Sequence, residues 1–170
     1  MDLLDLRIYP DDVLRGKCEP VEKFTVLEAE ILERMFLAMR HYGGIGLAAP
    51  QVGILKRMIV ADIGEGPVKL VNPEIILAEE KDSMRERCLS LPGVEVGIER
   101  SAGIRVQSLN EKGKEVKLNI KGLLARVIQH EVDHLNGKLI VDYLSLSEGI
   151  KFYAAEEKKE KGKNAGKNTF

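Results

Sequence analysis

Residues 123–134 have the sequence LLARVIQHEVDH, and the spacing of their apolar and polar side chains predicts an amphipathic helix. Leu123, Val127, His130 and His134 recur at steps of three or four, so they fall on one side of that helix. Residues four apart on a helix stand about 5–6 Å apart at their Cβ atoms, and two histidines can therefore bind one metal ion. Glu131 lies between them, where it can act as a general base without being a ligand.

An ordinary surface helix that carries two histidines by chance is the alternative to a metal site. The chain has three histidines in all, and the two in this pattern continue the apolar row of the helix. Buried polar groups need partners, and a metal ion would supply one for both rings. We therefore interpret His130 and His134 as metal ligands.

A catalytic metal site normally has three protein ligands and leaves one position for water, so a third ligand must be found. No histidine or cysteine follows His134, and a downstream ligand would have to be a carboxylate. The downstream candidates are Asp142, Glu148, Glu156 and Glu157. The upstream candidates are Cys88, Cys18 and His41. Cys88 lies in a turn before a predicted strand, where a side chain is held rigidly, although a lone cysteine is more commonly a small buried hydrophobic residue. We interpret His41 as a surface or capping residue.

The segment GGIGLAAPQVG, residues 43–53, forms a glycine-rich loop after the first predicted helix. Glycines let a backbone approach a substrate closely, and Gln51 offers an amide that can bind an oxyanion. No Gly-Lys-Ser/Thr follows, which argues against a phosphate-binding loop. Tight packing between a helix and a strand would explain the same glycines.

The composition is that of a water-soluble globular domain. The 170 residues are 44% hydrophobic and 31% charged, with a net charge of -1 that gives no general attraction to DNA or to acidic membranes. The apolar stretches are far shorter than the roughly 20 residues of a membrane-spanning helix, and no export signal is visible. We therefore expect a cytoplasmic protein in which Cys18 and Cys88 are reduced.

Three helices and several short strands are predicted. A capping box at Thr25 predicts an N-terminal helix that ends at Gly43-Gly44, and a second capping box at Ser145 predicts a C-terminal helix. That last helix would pack through Ile150, Phe152, Tyr153 and Ala154. Strands are predicted at residues 58–63, 68–71, 75–78, 94–98, 104–109 and 116–120, with a hairpin turn at residues 110–113.

These elements predict an α+β fold. Antiparallel or mixed sheets would surround a central helix that carries the His-Glu-x-x-His motif, with an N-terminal and a C-terminal helix beside them. We expect one catalytic domain over residues 1–157 and a basic, flexible C-terminal segment over residues 158–170.

Three segments together resemble the peptide deformylase family. They are the glycine loop at residues 44–51, the turn Glu86-Arg87-Cys88-Leu89-Ser90, and the helix segment at residues 129–134. The opening segment around Tyr9-Pro10-Asp11 is also similar to that family, so the resemblance spans nearly the whole chain. Arg87 departs from the pattern, because the family usually has glycine or another small residue there, and this departure concerns the shape and charge of the cleft mouth.

The resemblance implies that a Cys88 thiolate, His130 and His134 bind one divalent metal ion, with water in the fourth position. Members of the family typically use Fe²⁺, and the same donors would also hold Zn²⁺, Ni²⁺ or Co²⁺. Glu131 would take a proton from the water that attacks the formyl carbon and pass one to the departing amine. The substrates would be N-formylmethionyl nascent peptides, and the basic C-terminal segment would either contact the ribosome or simply be a solvated tail.

The resemblance also assigns the residues that meet the substrate. The backbone N–H of Leu89 and the side chain of Gln51 would stabilise the oxyanion, and Gly46 and Glu86 would meet the substrate backbone. The apolar slot for methionine is our own inference from helical phase, with Ile45, Leu123 and Val127 as its walls.

Two alternatives remain at this stage. A zinc endopeptidase shares the His-Glu-x-x-His motif but usually takes its third ligand from downstream. A structural metal module would need a fourth protein ligand and would have no use for Glu131.

Overall fold

The structure is a computed structural model that describes residues 3–165, with side chains described for residues 3–159. Helix α1 spans Val26–His41, α2 spans Gly122–Leu135 and α3 spans Leu146–Ala165. The strands are β1 (Gly46–Ala48), β2 (Met58–Ala61), β3 (Val68–Glu79), β4 (Asp82–Cys88), β5 (Leu91–Arg100), β6 (Gly103–Leu109) and β7 (Glu115–Lys121). Short 3₁₀ helices cover Asp12–Arg15, Ala49–Val52 and Ile140–Tyr143.

The strands form two sheets. Five of them lie in the order β1-β2-β3-β6-β7, and β4 pairs with β5 in a separate two-stranded sheet. Every pairing between these strands is antiparallel, which confirms the predicted α+β class and the predicted hairpin between β6 and β7. Helix α2 packs on the five-stranded sheet through β1, β2, β6 and β7.

Strand β2 is buried on both faces because a helix covers each side of the larger sheet. Met58 and Val60 pack in the cluster that contains the apolar side of α1. Ile59 and Ala61 pack in the cluster that contains the apolar side of α2. Side chains alternate across a strand, so the four consecutive apolar residues of β2 serve two cores. This sandwich fixes α2, and with it the histidines, against a rigid support.

Helix α1 begins as its sequence predicts. Thr25 accepts a hydrogen bond from the Leu27 amide, and Glu28 reaches back to accept one from the Thr25 amide at 2.9 Å. These bonds satisfy amides that would have no partner inside the helix. The helix ends before Gly43, whose φ of 71° is the left-handed conformation that closes a helix.

Strand β3 is one continuous bulged strand, so the prediction of two strands at residues 68–71 and 75–78 was wrong. Its register with β6 shifts between Val71 and Glu74, at the place where Pro73 lacks an amide donor for the ladder. Asn72 has a φ of 51°, and its side chain forms hydrogen bonds with both backbone groups of Val21. The bulge absorbs the proline without ending the strand.

Strand β4 was not predicted, because the sequence Asp-Ser-Met-Arg-Glu-Arg-Cys shows no apolar alternation. Its buried positions are Glu86 and Cys88, which are 6% and 8% exposed. A carboxylate occupies a core position only when other charged groups compensate it, and sequence spacing does not reveal such partners. The turn that we placed over residues 86–93 is therefore shorter and follows the strand.

Helix α3 starts at the predicted capping box, where the Ser145 amide donates to Glu148 at 3.0 Å. Phe152 packs against Tyr9, with ring centroids 5.7 Å apart, but Ile150 and Tyr153 are exposed and do not seat the helix as predicted. The helix continues to Ala165, into the segment that we expected to be flexible, and residues 166–170 lie outside the described range.

None of the helices in residues 3–165 has the length and apolar content that crossing a membrane requires.

Candidate metal centre and substrate cleft

Cys88, His130 and His134 converge at one point in the structure. One potential ligand atom from each residue lies within 4.8 Å of the others, and all three residues are buried. The Cys88 sulfur is 3.3 Å from Nε2 of His134. Among the described residues these three form the group that can hold a metal ion, and they are the three ligands that the family resemblance implies.

Two elements deliver the ligands. Helix α2 places the rings of His130 and His134 side by side, with centroids 5.1 Å apart, because residues four positions apart share a helix face. Strand β4 ends at Cys88, which faces Leu91 across a tight turn at a register shift of the β4–β5 ladder. The sulfur is thus held at the end of a hairpin strand, where the sequence predicted a turn that precedes a strand.

The His130 ring is oriented by Glu86. Nδ1 of His130 lies 2.9 Å from Oε2 of Glu86, which leaves Nε2 of His130 for a metal. Arg100 donates two hydrogen bonds to Glu86, at 2.6 and 2.9 Å, and Arg126 donates a third at 2.8 Å. The buried carboxylate is therefore fully paired, and it fixes the orientation of one ligand.

The charges around the ligands favour a cation. Burial alone would raise the pKa of Glu86, but hydrogen bonds from His130 and Arg100 outweigh it and lower that pKa to about 2. Burial would lower the pKa of His130, yet its bonds with Cys88 and Glu86 raise it to about 10. Burial, followed by the charge of His130, keeps the pKa of His134 well below its usual range. The cluster thus attracts one positive charge beside a neutral ring, and a bound metal cation would supply that charge.

Glu131 points into the same space. It is 4% exposed, and its Oε2 is a buried oxygen that has no hydrogen-bond partner among the described residues. Burial raises the pKa of Glu131 to about 7, with His130 acting in the opposite direction. A buried unpaired carboxylate oxygen is costly, so it indicates a site built to receive a further group. The residues present therefore fit a metal ion with space for water and substrate.

Gln51 holds a donor beside the ligand sulfur. Its Oε1 accepts a hydrogen bond from the Ala48 amide at 2.8 Å, which fixes the amide orientation. Its Nε2 then points to the Cys88 sulfur at 3.5 Å and to Oγ of Ser90 at 3.2 Å. Gln51 and Leu89 both line the cleft, as expected for groups that meet an oxyanion.

A cleft of about 640 Å³ opens over this centre. Ile45, Leu123 and Val127 line it together, as the helical phase predicts. Ile45 and Leu123 are 45% and 44% exposed, so they form the outer wall, whereas Val127 is buried at 6% exposure. Met84 and Arg126 also line the cleft, and we did not predict them because β4 and the neighbours of Glu86 were not recognised.

Close approach explains two glycines of the loop. A Cβ on Gly46 would collide with Oε1 of Glu131 and would lie 2.7 Å from Val127. A Cβ on Gly44 would lie 2.7 Å from the Leu89 side chain. The loop can therefore press against the catalytic helix and the Cys88 turn only because these positions lack side chains.

Glu86 and Arg87 differ from simple expectation. The Glu86 side chain binds His130 and two arginines. The predicted contact of Glu86 with the substrate backbone would therefore be made by the Glu86 backbone, and it stays a prediction. Arg87 pairs with Glu95 in the regular ladder of β4 and β5, and its side chain is 82% exposed. An arginine replaces the usual small residue without backbone strain because its side chain points out of the cleft floor.

The other candidate ligands are used elsewhere. Three downstream carboxylates have hydrogen-bonding partners of their own, namely Arg15 for Asp142, Ser145 for Glu148 and Lys159 for Glu156. Cys18 is buried in the core, where burial raises the pKa of its thiol to about 11. His41 is exposed and contacts the Tyr42 ring.

Asp133 belongs to a hydrogen-bonding network beside the metal ligands. It accepts hydrogen bonds from Arg100 at 2.8 Å and from the Tyr143 hydroxyl at 2.7 Å. Since Arg100 also holds Glu86, the network connects Asp133 to the support of His130. Asp133 is therefore a structural partner of the site and not a plain surface carboxylate.

Comparison with known proteins agrees with this geometry. Residues 3–149 match the model of the family described as Polypeptide deformylase. Peptide deformylase 1 of Clostridium acetobutylicum is 47% identical over 149 residues, which cover 88% of this chain and 99% of that protein. The peptide deformylase of Thermotoga maritima is 48% identical over 141 residues, which cover 82% of this chain and 86% of that protein.

Solved structures give the same result. The crystal structure of the Thermotoga maritima peptide deformylase superposes with a TM-score of 0.82 at 46% identity and covers 85% of this chain and 99% of that chain. The Ehrlichia chaffeensis peptide deformylase in complex with actinonin has a TM-score of 0.87 at 37% identity and covers 95% of this chain and 98% of that chain. These relatives give no support to the zinc endopeptidase alternative. By sequence and fold, this chain belongs to the peptide deformylase family.

Proposed function

We propose that this chain removes the formyl group from the N-terminal formylmethionine of newly synthesised proteins, with Cys88, His130 and His134 as the ligands of one divalent metal ion. The observation that carries this proposal is the convergence of three ligand atoms within 4.8 Å beside a buried carboxylate oxygen that has no described partner. The products are formate and a peptide with a free N-terminal methionine.

The donor set indicates the kind of metal. One sulfur and two imidazoles suit Fe²⁺, and they also suit Zn²⁺, Ni²⁺ or Co²⁺. We propose Fe²⁺, on the resemblance to the family. When bound, such an ion polarises a carbonyl oxygen and lowers the pKa of water toward about 7.

Glu131 is the proposed proton carrier. Its burial raises its pKa to about 7, so both protonation states are accessible near neutral pH. The carboxylate takes a proton from the attacking water and then delivers one to the departing amine nitrogen. The contact of Glu131 with Gly46 keeps the carboxylate at the inner end of the cleft.

Gln51 and Leu89 are the proposed oxyanion donors. The Gln51 amide is already fixed by Ala48, so its Nε2 needs no reorientation when negative charge develops on the formyl oxygen. The Leu89 backbone N–H lies next in the chain to the Cys88 ligand. Loss of one such donor usually lowers the rate by about 10²- to 10³-fold.

The apolar wall explains the choice of methionine. Ile45, Leu123 and Val127 line one cleft and suit an unbranched thioether side chain. Gly46 and Glu86 border the same cleft, where we propose that their backbones meet the substrate backbone.

The substrate indicates the cellular setting. Formylated nascent chains emerge from ribosomes, so we propose that the protein acts in the cytoplasm. We propose further that residues 1–157 act as one catalytic domain and that the basic segment 158–170 contacts the ribosome.

Formate release from formyl-Met-Ala-Ser by anaerobically iron-loaded protein tests the proposal. We expect turnover by the parent protein, full metal content without turnover in Glu131→Ala, and loss of metal in Cys88→Ser. Glu156→Gln is the control, because the endopeptidase alternative would take its third ligand from this region and lose activity on that change. A parent protein that binds iron and releases no formate would show that the proposed activity is wrong.

A further inference from the structure

Two arginines of β4 stand at the mouth of the cleft. Arg85 and Arg87 alternate along the strand with the buried Glu86, so their side chains point away from the core. They are 72% and 82% exposed, and both residues line the cleft.

A single carboxylate faces these two arginines. Nε of Arg85 lies 2.5 Å from one oxygen of Glu95, and Nη2 of Arg87 lies 2.8 Å from the other. The hydrogen bond from Arg87 lowers the pKa of Glu95, so the acid is ionised throughout the neutral range. Two positive charges against one negative charge leave this rim, formed by Arg85, Arg87 and Glu95, with one positive charge in excess.

The other charges around the cleft do not offset this excess. Among the described residues that line the cleft, the remaining ionisable side chains are all buried, and they are Glu86, Cys88, Arg126, His130 and Glu131. The lining residues of the glycine loop and of α2 that reach the surface are uncharged, and they are Gly43, Gly44, Ile45 and Leu123. Among the described lining residues, an arriving peptide therefore meets an excess of exposed positive charge at the rim alone.

The rim lies within reach of the substrate residues that follow formylmethionine. Arg87 directly precedes the Cys88 ligand, and Arg85 is two residues, or roughly 7 Å, further along the strand. An extended peptide advances about 3.3–3.6 Å per residue. A peptide whose formyl group lies at the metal centre thus brings its second and third residues to the level of the two arginines.

We propose that Arg85 and Arg87 make this protein prefer formyl peptides that carry a carboxylate at the second or third residue. The inference rests on the proposed deformylase function and names the substrate class of the same cleft. Exposed charge pairs contribute modestly and are screened by salt. The rim does not touch the reacting atoms, so its effect falls on KM and leaves kcat nearly constant.

Amidated peptides test this preference, because their only carboxylate is the one under study. We compare formyl-Met-Asp-Ala-amide and formyl-Met-Ala-Asp-amide with their lysine counterparts and with a neutral serine peptide. At low ionic strength we expect kcat/KM for at least one acidic peptide to exceed that of its lysine counterpart by about threefold to tenfold. At about 0.5 M sodium chloride the ratio should shrink toward one.

Three variants test whether the charges of the rim, and not the overall charge of the protein, cause the preference for acidic peptides. In Arg85→Gln/Arg87→Gln, which leaves Glu95 as the one charge of the rim, the ratio of acidic to basic peptides should fall to one or below, and in Glu95→Gln it should rise above that of the parent. Lys81→Gln is the matched control, because Lys81 directly precedes β4, is 74% exposed, pairs with Glu99 of β5 and does not line this cleft. Its ratio should equal that of the parent.

Equal kcat/KM for acidic and basic peptides at low salt would overturn the inference while leaving the deformylase function intact. A preference for acidic peptides that persists in Arg85→Gln/Arg87→Gln would also overturn the inference. Failure to release formate from any peptide, the neutral one included, would overturn the proposed function and this inference with it.

Discussion

At the scale of single residues, the metal centre depends on groups that are not ligands. Glu86 connects His130 to two buried arginines, and this pairing allows a carboxylate to occupy the core. Gly46 matters through the atoms that it lacks, because the Glu131 carboxylate occupies the space of a side chain. The positions of the groups at the site thus depend on the hydrogen bonds of Glu86 and on the close packing of Glu131 against Gly46, as well as on the motif itself.

Gly46→Ala should displace Glu131 while leaving the metal ligands in place. The added methyl group collides with the Glu131 carboxylate and with Val127, and small displacements of catalytic groups cost roughly 10²-fold in rate. We expect kcat to fall by about that factor with metal content unchanged, measured by formate release and metal analysis. Gly97→Ala is the control, since a Cβ there meets nothing within 4 Å. An unchanged kcat in Gly46→Ala would contradict this account.

At the scale of elements, helix ends and the β4–β5 hairpin decide the local geometry. Helix α1 is anchored by Glu28, which caps Thr25 and also receives a hydrogen bond from Lys56 at 2.9 Å. Strand β4 carries buried polar residues, so it is stable only because β5 and α2 supply partners for them. The first feature is local in sequence, whereas the second depends on residues far apart.

Glu28→Gln should destabilise the protein in a pH-dependent way. Hydrogen bonds from Lys56 and then Thr25 lower the pKa of Glu28 from 4.5 to about 2 in the folded state. A lowered folded-state pKa means that its contribution is present above the unfolded pKa and is lost as pH falls from about 4.5 toward 2.

We expect Glu28→Gln to lower the free energy of unfolding by about 1–2 kcal/mol at pH 7, with the difference narrowing below pH 4.5. Urea unfolding of metal-free parent and variant at several pH values measures this, because neither protein can then lose a metal ion as the pH falls. Glu33→Gln on the same helix is the control, since Glu33 is 54% exposed in its pair with Lys69. If the difference in free energy of unfolding between Glu28→Gln and the parent did not change with pH, the lowered pKa of Glu28 would not contribute to stability.

At the scale of the whole molecule, the metal centre joins two parts of the fold. Cys88 belongs to the two-stranded sheet, and both histidines belong to the helix that packs on the five-stranded sheet. An ion held by all three side chains therefore ties the hairpin to the main body. A ligand that binds only the folded state stabilises it by an amount that grows with the logarithm of the ligand concentration relative to Kd.

Removal of the metal should therefore lower the melting temperature. At a free metal concentration of about 100 times Kd, binding contributes about 2.7 kcal/mol, which corresponds to roughly 5–10 °C for a chain of this size. Thermal unfolding with and without a chelator measures the shift. The melting temperature of Cys88→Ser should be nearly the same with and without the chelator. If the chelator lowered it as much as it lowers that of the parent, the stabilising ion would bind elsewhere.

The sequence predicted much of the fold because those features are local. The start of α1 at Thr25 and the helical row from Leu123 to His134 depend on spacing within a few residues. The β3 bulge at Pro73 and the polar strand β4 were missed, because their stability comes from Val21 and from the arginines around Glu86. Patterns of apolar residues do not report partners that lie many residues away.

The sequence alone determined the chemical identity of the site: two histidines one helical turn apart with a carboxylate between them, and a cysteine available upstream. The resemblance to a known family already implied Cys88 as the third ligand and Arg87 at the cleft mouth. Only the tertiary structure decided that Glu86 orients His130 and that two arginines hold Glu86 in place. The physical reason is the distance along the chain over which each feature is determined. Helical spacing is fixed by the backbone of neighbouring residues, whereas the contact between β4 and α2 depends on how the two sheets pack together.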